Sequence, residues 1–169
     1  MLNIVLLEPE IPYNTGNIGR TCVTTGSSLH LIKPLGFDVD EKAVRRAGLD
    51  YWKHIDLHIY ENYRDFLKKN NNPKVVMATT KARKTYSDYI FDSDEFIMFG
   101  KESGGIPEEL LVENEENCVR IPMIKGERSL NLSNSVSIIL YEALRQNKFH
   151  MLEEGGNLHR LSWRKKDSN

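Results

Sequence analysis

Three short segments carry residue types suited to chemistry. In residues 12–20 (PYNTGNIGR), Asn14, Gly16, Asn17, Gly19 and Arg20 fall within one stretch. Glycines admit close backbone approach, and carboxamides both donate and accept hydrogen bonds. An arginine about one turn into a helix can present a planar fork of donors to a phosphate. The same spacing also describes a capped helix whose arginine is surface charge. Residues 99–107 (FGKESGGIP) follow an apolar run, and glycines at the carboxyl end of a strand let a ligand reach the backbone of an open α/β sheet. Glu102 stands where a dinucleotide fingerprint needs its third-position glycine, and the spacing is not that of a phosphate-binding P-loop. A tight turn is the alternative. Residues 121–134 (IPMIKGERSLNLSN) gather Ser129, Asn131, Ser133 and Asn134 where a helix must begin. N-capping uses one such residue and leaves the others for another task.

Other constellations carry less. His54, Asp56 and His58 alternate, so on a strand they would share one face and could chelate a metal. No second ligand cluster supports them, and exposed strand residues are the favoured reading. No spacing suggests a serine or cysteine nucleophile with a positioned histidine and acid. Asn131-Leu132-Ser133 matches a glycosylation sequon by coincidence, because nothing at the N-terminus resembles a secretory signal.

The elements that must position these segments follow from periodicity. Residues 2–7 form a short apolar run closed by Glu8-Pro9, the pattern of a buried first strand. A helix is predicted from near Thr15 to Gly26. Further apolar runs at 29–32, 55–60, 75–79, 96–99 and 119–123 alternate with helical patterns at 41–47, 63–69 and 107–112. Such alternation predicts an α/β domain with a mainly parallel sheet and helices on both faces. In the last long helix Val136, Ile139, Leu140, Ala143 and Leu144 recur at helical spacing, so this stripe is predicted to be buried while Glu142, Arg145 and Gln146 face away. The pattern decays beyond Phe149. One domain over 1–150 and a polar, basic, mobile tail over 151–169 are expected.

At 169 residues, 40% hydrophobic and 28% charged, the chain has ordinary globular composition. Cys22 and Cys118 are its two cysteines and no apolar run approaches a membrane span, so a reducing cytoplasm is expected. Net charge of −1 argues for no anionic partner, but its distribution is uneven. Lys42, Arg45, Arg46 and Lys53, then Lys81, Arg83 and Lys84, then Arg160, Arg164, Lys165 and Lys166 form basic groups, while Glu108, Glu109, Glu113, Glu115 and Glu116 form an acidic one. A basic face and an acidic back would fit, as would solvated surface helices.

Taken in order, the three segments resemble the motifs of the SPOUT RNA methyltransferases. Asn14-x-Gly16-x-x-x-Arg20 is similar to the first motif, Gly100-x-Glu102-x-x-Gly105 to the second and Ser129-Leu130-Asn131-Leu132-Ser133 to the third. Residues 9–12 (PEIP) and 45–51 (RRAGLDY) also match a narrower family, the small bacterial tRNA (cytidine/uridine-34 2′-O)-methyltransferases. The resemblance covers residues 1–149, nearly the whole chain.

It implies a C-terminal deep trefoil knot, which no periodicity would propose. It implies S-adenosylmethionine as methyl donor, S-adenosylhomocysteine as product and no metal. Carried over by position, Ala78, Gly100, Ile121 and Ser129 would hold the cofactor, with Thr79, Glu102, Met123 and Leu130 beside them. Arg20 and Asn14 would be catalytic. A guanidinium is a poor base, so Arg20 either loses its proton with help from a substrate phosphate or stays charged, orients the RNA and lowers the hydroxyl's pKa. The implied partners are a tRNA anticodon loop and a second copy of the chain, with Tyr141 of the last helix at the dimer contact. Arg45, Arg46, Lys81 and Arg83 are candidate phosphate contacts, and Tyr13, Tyr51 and Trp52 candidate stacking platforms. Another tRNA or ribosomal RNA site, or a silent RNA-binding homologue, are the alternatives. Ala82 stands where members often carry glycine, and the tail after Met151 is longer than compact members need. That tail is either an inert end or an added RNA-binding arm.

Overall fold

The computed structural model describes residues 1–38 and 51–163. Seven strands form one parallel sheet: β1 (Asn3–Leu7), β2 (Ser28–Ile32), β3 (Leu57–Tyr60), β4 (Val75–Ala78), β5 (Lys84–Thr85), β6 (Phe96–Phe99) and β7 (Cys118–Arg120). Their order across the sheet is β3-β2-β1-β6-β4-β7-β5. The chain therefore inserts β6 between β1 and β4, then crosses back to insert β7 between β4 and β5.

Strand alternation divides the core in two. Ile4 and Leu6 of β1, Ile97 and Phe99 of β6, Val76 of β4 and Val119 of β7 point to one face. Helix α1 (Pro12–Thr25) covers that face through Ile18 and Cys22, beside the last helix, α4 (Leu132–Gln146), through Val136, Ile139, Leu140, Ala143 and Leu144. Val5, Met98, Met77 and Cys118 point the other way, under Phe66 of α2 (Tyr63–Lys69) and Leu111 of α3 (Glu108–Glu113). Helices thus cover both faces, and the stripe predicted for the last helix is buried. Burying an aliphatic side chain of this size stabilises by about 1.5–3 kcal/mol.

Several boundaries differ from the periodic reading. Helix α1 begins at Pro12, a turn before Thr15, because proline suits the first helical position and its ring presets φ. It ends as predicted at Gly26, whose φ of 66° supplies the left-handed cap. Strand β7 stops at Arg120, so residues 121–123 leave the sheet. Strand β3 starts at Leu57, and His54 lies in a 3₁₀ turn (Trp52–His54) off the shared face. Gln146 and Glu142 do not face away as predicted. Gln146 accepts from the Phe91 N–H at 2.9 Å and donates to the Tyr89 carbonyl at 2.9 Å and to Glu142 at 2.8 Å. Bonds from Arg145 and Gln146 pull the Glu142 carboxyl down to about 2. Phe149 and Leu152 pack against the core. The helix expected at 41–47 lies outside the described residues. Among the described residues no helix is long and apolar enough to cross a membrane.

Candidate functional site

Parallel strands bring their carboxyl ends to one edge, and the loops leaving β1, β4, β6 and β7 meet there. Between them opens a cleft of about 420 Å³. All of Ala78, Thr79, Gly100, Glu102, Ile121, Met123, Ser129 and Leu130 line it. Asn14 lines it from the first turn of α1, and Ser135 and Ile139 from the last helix. Early termination of β7 delivers Ile121 and Met123 here, where a longer strand would have carried them past the cleft.

The loop after β6 can take only its own sequence. A Cβ on Gly100 would lie 2.1 Å from the carbonyl carbon of Gly105 and 2.3 Å from the amide nitrogen of Ile106. Gly105 has φ of 69° and donates its N–H to the Lys101 carbonyl at 2.8 Å. The result is a closed turn whose rim is bare backbone.

Six side chains fasten that turn to the segment after β1. Glu102 accepts from the Glu10 N–H at 2.8 Å, the Ile11 N–H at 3.3 Å and Asn14 Nδ2 at 2.9 Å. Ile11, the residue preceding α1, has no side-chain cap of its own, and Glu102, from the loop after the neighbouring strand β6, holds the two N–H groups just ahead of this helix. Glu10 accepts from the Ser103 N–H at 2.9 Å and from Ser103 Oγ at 2.8 Å, which hold its carboxyl below the usual range. Lys101 pairs with Glu8 at 3.0 Å.

Asn14 also accepts from Asn131 Nδ2 at 3.0 Å. Asn131 in turn caps the last helix, accepting from the Ser133 N–H at 2.9 Å and Ser133 Oγ at 2.7 Å. Glu102, Asn14 and Asn131 thus form one chain of hydrogen bonds joining all three segments singled out in the sequence. The capping reading and the site reading of the third segment both hold, because Asn131 does both.

Arg20 stands apart. It lies six residues beyond Asn14, which in helical geometry is about 9 Å along the axis and about 120° round. It does not line the cleft. Its guanidinium carbon sits 5.4 Å from the centroid of the Tyr51 ring, a cation–π contact on the exposed side of α1. The Tyr51 hydroxyl donates to the Gly16 carbonyl at 2.8 Å, and burial raises its pKa against the opposing effect of Arg20. Trp52 packs on α1 at Gly19, where a Cβ would come within 3.2 Å of the indole. Tyr51 and Trp52 are therefore packed along α1, while Tyr13 is 60% exposed.

Lys81 lines the cleft and Arg83 does not, and both are paired with acids, Lys81 with Glu108 at 2.8 Å and Arg83 with Glu115 at 2.9 Å. The acidic group therefore stands against this basic group rather than on an opposite back. Arg45 and Arg46 lie outside the described residues. Asp56 pairs with His58 at 3.0 Å and accepts from Ser28 Oγ at 2.6 Å. Among the described residues no group of three or more His, Cys, Asp or Glu could hold a metal. The parts played by Glu8, Glu10 and Ser103 were not foreseen. Ser103 lay within the segment 99–107 and Glu10 within the matching stretch 9–12, while Glu8 was marked by its place at a strand end.

Known proteins are similar to this chain in sequence and in fold. The sequence model described as the SpoU rRNA Methylase family matches residues 1–141. An Escherichia coli protein named tRNA (cytidine(34)-2′-O)-methyltransferase is 47% identical over 147 residues, 86% of this chain and 94% of its own. A solved structure described as giving insights into the 2-OH methylation of C/U34 on tRNA superposes with a TM-score of 0.83 at 40% identity, covering 88% of this chain and 97% of its own. An AdoMet-bound rRNA methyltransferase from Sinorhizobium meliloti superposes with a TM-score of 0.77 at 26% identity, covering 90% of this chain and 57% of its own.

Proposed function

The chain belongs to the SpoU rRNA methylase family, and we propose that it methylates the ribose 2′-hydroxyl of nucleotide 34 in tRNA, a cytidine or modified uridine, using S-adenosylmethionine. The observation that carries this reading is the convergence of Asn14, Ala78, Gly100, Glu102, Ile121, Met123, Ser129 and Leu130 on one cleft. The names of the relatives supply the nucleotide.

The cleft fits such a cofactor. About 420 Å³ lies within the range of roughly 300–1,000 Å³ typical of small-molecule sites. Phe99, Ile106, Ile121, Met123 and Leu130 offer apolar walls for a flat ring, and the bare backbone of the Gly100 turn permits close approach. When bound there, S-adenosylmethionine supplies a methyl group made electrophilic by its sulfonium. The chain's own work is to bind, orient and hold charge. Glu102 fixes the start of α1 and so the position of Asn14 at the cleft wall. Arg20 stays charged, draws the substrate phosphate into register and lowers the pKa of the ribose hydroxyl; alignment alone is worth about 7–11 kcal/mol in favourable systems. Lys81, Arg83, Arg45 and Arg46 contact flanking phosphates.

Arg20 lies off the cleft of its own chain, which supports a homodimer in which each copy's arginine serves its partner's cleft. Exposed Tyr13 and Tyr141, at 60% and 47%, lie on the two helices that would form the contact. A mixture of Arg20→Ala protein with an Ile121→Lys protein, each inactive alone, is expected to regain activity; no recovery removes the shared site. The insertion of β7 between β4 and β5, after β6 has been inserted between β1 and β4, supports a C-terminal deep trefoil knot. The catalytic domain is residues 1–150 and the tail 151–169, and the enzyme works in the cytoplasm with its tRNA.

The test is transfer of labelled methyl from S-adenosylmethionine to tRNA from a strain deleted for the gene, followed by nucleotide mapping. Label in the ribose of nucleotide 34 is expected. Label elsewhere in tRNA or in ribosomal RNA overturns the assignment, and failure to bind the cofactor at millimolar concentration overturns catalysis.

A further inference from the structure

The turn after β6 and the segment after β1 hold each other. Glu102 reaches out to the Glu10 and Ile11 N–H groups and to Asn14, while Glu10 reaches back to Ser103, accepting from its N–H at 2.9 Å and its hydroxyl at 2.8 Å. Ser103 lines the cleft and Glu10 does not. Glu10 is itself fixed from behind. The Gly36 N–H donates to the Pro9 carbonyl at 2.9 Å, and a Cβ on residue 36 would lie 2.6 Å from the Glu10 carbonyl oxygen and 2.7 Å from its Cα. The loop leaving β2 thus presses bare backbone against Glu10. Glu8, two residues earlier, has φ of 53°, a left-handed conformation that a non-glycine residue keeps only where its surroundings over-determine it, and its carboxylate is tied to Lys101 at 3.0 Å. The Glu10 carboxylate is therefore a stationary acceptor. Its bonds from Ser103 hold it below the usual carboxyl range, so it is ionised at neutral pH.

We propose that Glu10 is a positioning residue for the cofactor: it holds Ser103, and through Ser103 the turn over residues 100–106, in the shape that receives S-adenosylmethionine. This rests on the cofactor reading above and not on which nucleotide is methylated. The physical reason lies in the turn. Its cleft side is bare backbone, whose hydrogen-bonding groups serve a ligand in one orientation, and its own closure is the bridge between Lys101 and Gly105. Three glycines, Gly100, Gly104 and Gly105, give it many alternatives to that orientation. Order imposed from outside before binding is order the ligand need not impose.

Calorimetry with S-adenosylmethionine and S-adenosylhomocysteine on full-length variants tests this, with hydrogen exchange at the Gly105 amide reporting on the turn in the free protein. Glu10→Ala is expected to weaken both ligands about five- to thirtyfold and Ser103→Ala about three- to tenfold. The double variant should fall no more than about twofold below Glu10→Ala, because both changes remove one contact. Glu10→Gln should stay within about threefold, since its oxygen still accepts from the Ser103 N–H and its amide can donate to the Ser103 hydroxyl. Gly36→Ala, outside the cleft, should weaken binding about five- to twentyfold. KM for the cofactor should rise by the same factors with kcat within about threefold, and Gly105 should exchange faster in each weakened variant. Unchanged affinity in Glu10→Ala, or additive losses in the double variant, overturn the proposal. A lowered unfolding midpoint with affinity and exchange unchanged does so too, in favour of a purely structural role. If the parent chain binds neither ligand, the cofactor reading fails, and Gly105 exchange still decides whether Glu10 holds the turn.

Discussion

Two polar networks lie at different places on the same sheet, and they differ in what they leave available. At the carboxyl ends of the strands, Glu102, Asn14 and Asn131 form a chain along the wall of an open cleft. In the β2–β3 half of the sheet, His30 shares a hydrogen bond with the Tyr60 hydroxyl at 2.8 Å and with Asn3 Oδ1 at 3.2 Å. Its ring stacks on His58 at 4.7 Å, and Phe66 and Phe96 close over it edge-on. The second network is closed. Burial, reinforced by the neighbouring His58, pushes the His30 pKa down to about 4, so the ring stays neutral and its nitrogens are spent on fixed partners. The strongly shifted pKa of His30 thus marks no ligand site. What marks the site is that polar groups from three separated segments converge on space a ligand can enter.

This contrast makes variants separable: those at the open network should cost activity, those at the closed one stability. The largest effect is expected from Arg20→Ala, with methyl transfer reduced about 10²- to 10³-fold and cofactor affinity largely kept, as for loss of a transition-state charge contact. Activity within about tenfold of the parent would place Arg20 outside the machinery. Gly100→Ala should follow, because a Cβ there meets the Gly105 backbone at 2.1 Å and the turn must be rebuilt. Calorimetry should show cofactor affinity lowered about 100-fold, roughly 2.7 kcal/mol.

Glu102→Gln sharpens the comparison, since it keeps the shape but replaces one acceptor oxygen by NH2, which must then face either the Glu10 N–H or the Ile11 and Asn14 donors. A kcat loss of about tenfold or more, with the unfolding midpoint moved by only a few degrees, is expected; a stability loss alone would make this network as purely structural as the closed one. Replacing Lys81 and Arg83 together should weaken tRNA binding and reduce the salt slope by about two. An unchanged slope would mean that Glu108 and Glu115 hold these cations permanently.

The smallest effect on activity is expected at His30. Its folded pKa of about 4 lies below the ordinary 6.5, so the unfolded chain binds the extra proton between those values. Stability from this group is full above about pH 6.5, falls as pH drops toward 4, and changes no further below it, by at most about 3 kcal/mol. His30→Gln should flatten that window in denaturant titrations while methyl transfer at neutral pH stays within about twofold. A loss of activity at matched stability would join the two networks.

Much of the scaffold was legible in the residues. Apolar runs marked the seven-stranded sheet's longer members, and helical spacing found α2, α3 and the buried stripe of the last helix. Gly26 read as a helix end because only a residue tolerant of positive φ closes that turn without strain. Strand β5, with two residues, carried too little pattern to find. The overlong reading of β7 came from Ile121 and Met123, whose apolar character serves the cleft and mimics a strand.

The sequence by itself determined local geometry: where strands and helices form, which glycines must stay bare, and that three loops carry polar groups. Family resemblance then attached a cofactor and a reaction to those loops. The tertiary structure alone decided how they are used. Glu102 turns to backbone groups 91 and 92 residues away, Arg20 lies off its own cleft, and the cations beside the cleft are held by acids. The first depends on the pairing of β1 with β6, which brings the Glu102 loop beside the segment after β1. Periodicity records only which side of an element is buried, so it is silent about which distant loop arrives beside it.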